Sequence, residues 1–505
     1  MTISEGGGAS SRAPSADLTP DTLKEGVIGL PGVLMQSVTS IAPAIAGLLT
    51  LQFIVSNAGV TAPLAYLGAF VIALLLGYSL AQFSKHLSST GSYFTFVSRS
   101  LGPRSGFLVA WVYLLFYPVV IAQAGAFFGS ILQSTLKAEY GWNFQWWWWM
   151  VFILVLVAVT AWVGVELSVK LIVVLGIVEI VICTVLAIWG FARPGAGGIN
   201  FHWLLPSHAP STHGLFLGVV FAIFAITGWD AAAPLAEESK DPKRIVPRAV
   251  MGSIIILGVF LVLVSWGQIT GWGSDHTTSL STSGVLPAFA LAKHYWGSLW
   301  VIVLIAMINS VIAVSIACTN AAVRFFYGMA RAGALPKTLT KIHPKFKTPS
   351  NAIVLQTVIN ICLGLLLPIA IGAANVYNVT GTWFTFALAF VYIMANVGLF
   401  VFYRREHPDE FNWFKHLAIP VIGSIALLVV CYYSVVPLPA WPVSLAPFIV
   451  VGWLIIGAIA MVFVYGGDRS KNLALAGVAM GEAAEEASSE RVFAHGELPP
   501  PGQER

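Results

Sequence analysis

Two acidic residues lie far from the ends of long apolar segments. Asp230 is the only charged residue between Gly214 and Ala236, and Glu179 lies within the apolar segment 171–192. A charged side chain at the bilayer centre costs about 2.5 to 3.5 kcal/mol on insertion scales, so such residues usually face the protein interior and serve a function. Because protonation removes that charge, both carboxyl groups are candidate proton carriers. The alternative is structural, a protonated carboxyl group bonded to a neighbouring helix.

The residues around Asp230 favour an interrupted helix. Thr227 and Gly228 precede it, and glycine adopts backbone torsions that other residues avoid. Pro234 lacks the N–H group that would bond the carbonyl of Asp230. Inside a membrane, unwound backbone is tolerated only beside protein or a water-filled cavity, and transporters use it to present dipoles to small substrates. A proline kink without function is the alternative.

The first apolar segment carries a similar interruption. Ser37, Thr39 and Ser40 are followed by Pro43, which frees the carbonyl of Thr39 from its helical partner. Five spans separate this position from the break near Asp230. Because an odd number of crossings inverts the second copy, the spacing predicts two five-span repeats of opposite topology, with a binding site between them.

The composition identifies the elements that hold these residues. The 505 residues are 57% hydrophobic and 10% charged, with a mean hydropathy of +0.83, whereas soluble domains have about 25% charged residues. Apolar segments of this length indicate membrane-spanning α-helices rather than a β-barrel. The predicted spans are 27–53, 60–84, 106–133, 146–165, 171–192, 214–236, 249–270, 300–328, 351–371, 377–403, 416–436 and 445–466.

The distribution of Lys and Arg predicts the orientation of these spans. With cytoplasmic termini, only Lys137, Arg193 and Lys293 lie outside, which leaves 23 of the 26 on the cytoplasmic side. We therefore expect a multi-pass protein of the plasma membrane with both termini in the cytoplasm. Residues 1–25 lack the apolar region of a signal peptide. They and residues 467–505 are predicted to be disordered tails.

The histidines and cysteines do not form a recognisable motif. All ten histidines lie in loops, tails or helix ends, and the four cysteines lie singly in apolar segments. A membrane haem protein or zinc protease needs histidine ligands within its spans. We therefore predict no metal, cofactor or catalytic residue. A channel is disfavoured because no span carries a polar stripe, and an enzyme because the two buried acids are separated.

Four stretches resemble the amino acid–polyamine–organocation (APC) superfamily of permeases. The sixth span and its exit, FAITGWDAAAPLAEESKDPKRIVPRAV, resembles the family pattern FAFxGFDxxxxxAEExxNPxRxIPRAI. The loops LSSTGSYFTFVSRSLGPRSGFLVAW and RFFYGMARAGALPKTLTKIHPKFKTPSNAI are similar to its glycine-tyrosine loop and its ARDGxLP…TP signature. The interrupted first span is also similar, with TSIAPA in place of the usual GxG.

The resemblance covers roughly residues 24–466 and implies an all-α, leucine-transporter-type fold. Its core would be a ten-helix 5+5 inverted repeat with broken helices 1 and 6, assigned to residues 26–404. Two additional transmembrane helices would follow in residues 405–466.

The resemblance also implies where a substrate lies. Backbone amides at the first break would hold a carboxylate, here those of Thr39, Ser40, Ile41 and Ala42. Backbone carbonyls at the sixth-span break would hold an amino group, here those of Phe224, Ala225, Ile226 and Thr227, beside Gly228 and Asp230. Phe224 stands where family members often place an aromatic lid. Tyr117 and Gln123 either line this cavity or bond within the bundle.

Glu179 departs from the family pattern. Many members have a lysine at this position, whose ammonium group replaces a sodium ion. A glutamate instead suits proton transfer, or sodium binding with Ser315 and Thr319 as further oxygen ligands. Beyond the sixth span, Glu237 and Glu238 are expected to form ion pairs with Lys243 and Arg244 at a gate, or else to be solvated.

These observations predict a secondary active transporter that moves amino acids by alternating access with proton coupling. A polyamine or organic-amine transporter is the alternative, because two buried acids and no buried base suit a cationic substrate. Exchange and sodium-coupled symport are also open. The expected partners are a small-molecule substrate, a coupling ion and the lipid bilayer, and not nucleic acid.

Overall fold

The computed structural model describes residue 23, residues 25–282 and residues 286–465. Eleven helical stretches in this part of the chain are long and apolar enough to cross a membrane. One of them, Leu30–His86, contains two crossings, since a turn at Gly59 separates its two halves. The prediction of an all-α protein with twelve spans is confirmed. The predicted tails, 1–25 and 467–505, lie almost wholly outside the described residues.

The first six spans contain two interrupted helices that were predicted and one that was not. Their bounds are Leu30–Ile41 and Thr50–Ala58 (first), Ala62–Phe83 (second), Pro103–Tyr113 and Tyr117–Tyr140 (third), Trp146–Val163 (fourth), Val165–Ala192 (fifth), and Thr212–Ile226 with Trp229–Glu238 (sixth). The fifth span begins six residues before its predicted start at 171.

The remaining six spans are continuous helices. Their bounds are Pro242–Trp272, Val301–Arg331, Ser350–Ile371, Val376–Arg405, Ile419–Val435 and Leu445–Tyr465. Apolar side chains of the fourth, fifth, ninth and twelfth spans are exposed, such as Val155 and Val174 (60% each), Ile369 (78%) and Val462 (66%). These faces suit contact with lipid, whereas the first and eighth spans carry more buried polar residues than the other described spans, five and six respectively.

Two short helices show the inverted relation between the halves. Tyr93–Leu101 follows the second span, and Pro287–Trp296 follows the seventh. They hold the same place in the first five and the second five spans. Because five crossings separate them, they lie on opposite sides of the membrane, as inverted repeats require.

The first span breaks at Ala42. This residue adopts a left-handed conformation with φ 58° and ψ 71°, directly before Pro43. Its N–H bonds the carbonyl of Thr39 at 3.1 Å, which closes the first helix. The chain then continues through the π-helical turn Ile45–Leu49.

The sixth span breaks at Thr227 and Gly228, within the predicted stretch. Thr227 is extended (φ −72°, ψ 140°) and Gly228 has a φ of 135°, which side chains with a Cβ rarely adopt. The residues that follow, Trp229–Glu238, form a 3₁₀ helix that includes Pro234. The tighter i→i+3 bonding of that helix was not predicted.

The two breaks touch each other. A Cβ atom on Gly228 would lie 2.8 Å from the carbonyl carbon and oxygen of Ser40. The hydroxyl of Ser37 donates a 2.7 Å hydrogen bond to the carbonyl of Trp229. Glycine at position 228 therefore allows the unwound backbones of the two repeats to cross in direct contact.

The third span is interrupted between Tyr113 and Tyr117. Pro118 has no N–H to bond the carbonyl of Leu114, so the regular helical pattern stops there. The amides of Leu115 and Phe116 instead bond carbonyls three residues earlier, at 3.0 Å each. This turn lies beside the sixth-span break and sets the direction of both tyrosines.

Candidate substrate site

A cavity lies where the first and sixth spans break. Together with its opening it encloses about 580 Å³, within the range of small-molecule sites. Seven residues predicted from the sequence line it, namely Ser40, Ile41, Ala42, Gln123, Phe224, Ala225 and Thr227. The remaining lining is mostly apolar and includes no charged side chain.

Aromatic rings form one wall of this cavity. Phe224 packs edge-to-face on Tyr377 of the tenth span at a centroid distance of 5.3 Å. Phe127 stacks on the same tyrosine at 4.7 Å. The hydroxyl of Tyr377 bonds that of Thr50 at 2.6 Å, which links the tenth span to the first. Tyr377 and Thr50 were not predicted, since no local pattern distinguishes them from other polar residues near span ends.

Gln123 offers a free hydrogen-bond donor to the cavity. Its side chain is only 4% exposed, and its amide nitrogen has no hydrogen-bond partner among the described residues. A buried amide without a partner is costly unless water or a ligand satisfies it. The cavity therefore contains one polar group suited to an acceptor such as a carboxylate.

The backbone around the cavity presents mainly helix carboxyl ends. The helices Leu30–Ile41 and Thr212–Ile226 both end at the cavity, and the last carbonyls of a helix have no partner within it. The predicted amide positions Thr39 to Ala42 belong to the end of the first of these helices. Of these amides, that of Ala42 is already bonded to Thr39.

Glu179 binds the amides that follow the first break. Its Oε2 accepts a 3.1 Å hydrogen bond from the N–H of Ala44. The neighbouring N–H of Ile45 approaches the hydroxyl of Ser310 at 3.4 Å. A carboxylate on the fifth span thus holds the start of the second half of the first span, where a helix dipole favours negative charge.

No hydrogen bond joins Ser315 or Thr319, the predicted oxygen ligands, to Glu179 among the described residues. The hydroxyl of Thr319 donates to the carbonyl of Ser315 at 2.8 Å within the eighth span. The hydroxyl of Ser315 is buried without a hydrogen-bond partner in the described chain. The eighth-span residue beside Glu179 is instead Ser310, which the sequence did not single out.

Asp230 lies behind the cavity rather than on its wall. The hydroxyls of Tyr113 and Tyr117 both donate hydrogen bonds to its carboxyl group, the second at 2.9 Å. Tyr117 was predicted to line the cavity or to bond within the bundle, and it makes the second kind of contact. Tyr113 was missed, although it lies four residues before Tyr117 in the same span. Ile226, Gly228 and Thr39 also lie outside the cavity lining.

Two ion pairs join the sixth and eighth spans on the side of the membrane where the first span begins. Glu238 forms a bidentate pair with Arg324, and the two side chains are 1% and 4% exposed. Glu237 pairs with Arg331 at 2.5 Å and accepts bonds from the backbone and hydroxyl of Thr90 at 3.2 and 3.1 Å.

These contacts correct the predicted partners of the acidic pair. Arg244 lies 3.7 Å from Asp241, in an exposed pair at the start of the seventh span. The cations that meet Glu237 and Glu238 come from the eighth span, about 90 residues along the chain. Charge patterning along the sequence favoured the neighbours, whereas packing of the spans selected distant arginines.

The comparisons with known proteins agree with this architecture. A profile of the Amino acid permease family matches residues 28–465. The branched-chain amino acid permease BcaP of Bacillus subtilis (strain 168) is 27% identical over 446 residues, covering 82% of this chain and 88% of that protein.

Some relatives are named as transporters of other substrates. The low-affinity putrescine importer PlaP of Escherichia coli (strain K12) is 26% identical over 386 residues, covering 72% of this chain and 79% of the importer. The serine/threonine exchanger SteT of Bacillus subtilis (strain 168) is 23% identical over 362 residues, covering 68% and 76%. With a family match from the start of the first span to the end of the twelfth, the chain belongs to the amino acid permease family of multi-pass membrane transporters.

Proposed function

We propose that the chain is a secondary active transporter for neutral amino acids with apolar side chains. The observation that supports this proposal is the cavity, which lies at the junction of two broken helices and has an apolar lining without charged side chains. A zwitterion has no net charge and can be held by helix ends and amides. An apolar substrate side chain would bury its surface against Phe127, Phe128 and Tyr377. The similarity to BcaP supports the same substrate class.

The substrate would be oriented by groups of opposite polarity. Carbonyls at the end of Thr212–Ile226 suit its ammonium group, because the carboxyl end of a helix carries partial negative charge. The free amide nitrogen of Gln123 suits its carboxylate. The amides of Ala44 and Ile45 are less suited, since Glu179 and Ser310 already contact them.

Transport would proceed by alternating access in the core formed by residues 26–404, with residues 405–466 as two peripheral helices. The ion pairs of Glu237 and Glu238 close the transporter on the side of the membrane where the first span begins. The cavity reaches Leu49 and Thr50 on the other side of the first break. With both termini in the cytoplasm of a plasma-membrane protein, this conformation is closed toward the cytoplasm. The orientation rests on the positive-inside rule.

Proton coupling would use the two buried carboxyl groups. Glu179 is bonded to the backbone beside the first break, and Asp230 is bonded to the third span beside the sixth-span break. A change of charge at either position would alter how a broken helix packs. Sodium coupling through Glu179, Ser315 and Thr319 is less favoured, because no contact brings these three together in the described chain.

A competition experiment tests the substrate class. Purified protein in proteoliposomes takes up radiolabelled leucine, and excess unlabelled isoleucine, valine, serine or putrescine is added outside. We expect strong competition by isoleucine and valine, and little by putrescine. Competition by putrescine alone would favour the alternative function, transport of amines, which the similarity to PlaP supports.

A further inference from the structure

Three side chains that commonly bind metal ions meet at one end of the helix bundle. His86 follows the second span, and His407 and Glu410 lie in the loop after the tenth span. One ligand atom from each residue lies within 4.8 Å of the others. His86 is more than 300 positions from the other two residues, so folding rather than local sequence brings it to them.

The distances are compatible with one small metal ion. His86 Nε2 lies 3.3 Å from Glu410 Oε2. Tetrahedral ligands with bonds of about 2.0–2.1 Å to zinc lie roughly 3.3 Å from each other. The rings of His86 and His407 are nearly parallel, with centroids 4.0 Å apart and planes 28° apart. Because an imidazole nitrogen binds a metal within the plane of its ring, the His407 ring has to turn out of this stack for both nitrogens to face one ion.

His86 Nε2 has no hydrogen bond that explains its position. The atom is buried, and no described residue bonds it, because its approach to Glu410 lacks the alignment of a hydrogen bond. Buried polar atoms are normally satisfied by protein, water or an ion. An imidazole nitrogen beside a carboxylate oxygen is a pair of donor atoms that suits a divalent cation.

The loop that carries two of the ligands is ordered by its own hydrogen bonds. The N–H of Asn412 donates to His416 Nδ1 at 3.1 Å, and the N–H groups of Phe414 and Lys415 donate to Asn412 Oδ1 at 3.0 and 3.1 Å. Arg99 pairs with Glu406 at 3.0 Å just before the loop. These contacts order the end of the loop and join its start to the helix Tyr93–Leu101, so an ion has little of the loop left to order.

We propose that His86, His407 and Glu410 bind one divalent transition-metal ion of the zinc class, with water as a fourth ligand. Two imidazoles and one carboxylate are a donor set that suits Zn²⁺. The ion joins the ends of the second and tenth spans on the side where the first span begins. It is separate from the substrate cavity and takes no part in substrate binding.

Metal binding to the full-length protein tests the proposal. The protein is purified without a polyhistidine tag, stripped with chelator, incubated with Zn²⁺ and freed of excess ion by gel filtration. Elemental analysis should then find about one Zn²⁺ per chain. Replacing each ligand separately, by His86→Gln, His407→Gln and Glu410→Gln, should weaken binding by tenfold or more. Asp409→Asn is the matched control, because Asp409 lies between two of the proposed ligands in the same loop but outside the cluster, and this variant should retain the ion.

Co²⁺ provides a second measurement on the unmodified protein. Four-coordinate Co²⁺ absorbs visible light much more strongly than hydrated Co²⁺, so the folded protein should gain this absorption, and Zn²⁺ should remove it. The proposal is overturned if the unmodified protein retains no Zn²⁺ and shows no such absorption. It is equally overturned if all three variants bind Zn²⁺ as tightly as the unmodified protein.

Discussion

The hydroxyl of Tyr117 donates a 2.9 Å hydrogen bond to Oδ1 of Asp230. The third span thereby contacts the sixth span two residues after Gly228, where the sixth span breaks. Tyr113, on the other side of the third-span interruption, bonds the second oxygen of the same carboxyl group. The two tyrosines thus satisfy a carboxyl group that is fully buried and has no basic residue beside it among the described residues.

Replacing Tyr117 with phenylalanine should destabilise the protein. The change keeps the ring and removes one hydrogen bond to Asp230, which is worth about 1.5 to 3 kcal/mol if the carboxyl group is ionised and about 1 kcal/mol if it is neutral. Thermal unfolding in detergent measures the effect. Tyr392→Phe is the control, since the hydroxyl of this nearby buried tyrosine has no described hydrogen-bond partner. Equal unfolding temperatures for the two variants would contradict the importance of the Tyr117 bond.

Glu179→Gln should remove the pH dependence of uptake in proteoliposomes. Glutamine retains an oxygen that can accept the hydrogen bond from Ala44, so the first break keeps its packing, while the titratable charge is lost. Uptake by the unmodified protein should rise as the external pH falls, and uptake by the variant should stay constant. Asp230→Asn is the comparison, because it neutralises the second buried acid. An unchanged profile in Glu179→Gln would exclude Glu179 as the proton carrier.

Gln123→Leu should weaken substrate binding. The side chain keeps a similar size, but the cavity loses its free amide donor. A hydrogen bond to a charged group contributes about 1.5 to 3 kcal/mol, so the Kd should rise roughly 10- to 100-fold. Tryptophan fluorescence or scintillation proximity measures the Kd. Gln356→Leu serves as the control, because this buried glutamine bonds Pro118 outside the cavity; an equal loss in both variants would indicate a structural effect.

The positions of the helix breaks could be predicted because local residues determine them. Pro43 and Pro234 restrict the backbone and remove a hydrogen-bond donor, and Gly228 permits torsions that other residues avoid. The polar residues beside them then identify the cavity, and Ser40 and Thr227 both line it. The same local logic did not distinguish an α-helix from the 3₁₀ helix Trp229–Glu238, because that choice depends on packing against the first and seventh spans.

The partners of the buried charges could not be predicted from local sequence. Asp230 lies more than 100 residues from Tyr113, and Glu238 lies 86 residues from Arg324. A single sequence contains no signal for such distances, because any tyrosine or arginine on a facing span could occupy the same place. Tyr377 shows the same limit, since its role depends on how the tenth span meets Phe224 and Thr50.

Arg324→Gln should destabilise the conformation in which the sixth and eighth spans are joined by the Glu238–Arg324 ion pair. Removing one partner of a buried ion pair leaves Glu238 charged and unpaired, at a cost of about 3 to 5 kcal/mol. The double variant Glu238→Gln with Arg324→Gln should recover part of this loss, because neither residue is then charged. Arg331→Gln should cost less, since that pair is partly exposed and such pairs contribute about 1 kcal/mol or less. Thermal unfolding measures all three variants.

Arg324→Gln should also favour opening of the transporter on the side of the membrane where the first span begins. Labelling of Cys318 measures this opening. Its sulfur lies 3.6 Å from the hydroxyl of Ser40 at the first break, and the residue is buried in the closed structure. In a background with Cys362→Ser and Cys431→Ser, a membrane-impermeant thiol reagent should label Cys318 faster in Arg324→Gln than in the parent protein. Equal labelling rates would show that the Glu238–Arg324 pair supports folding without controlling access, because the cysteine would then stay buried in both proteins.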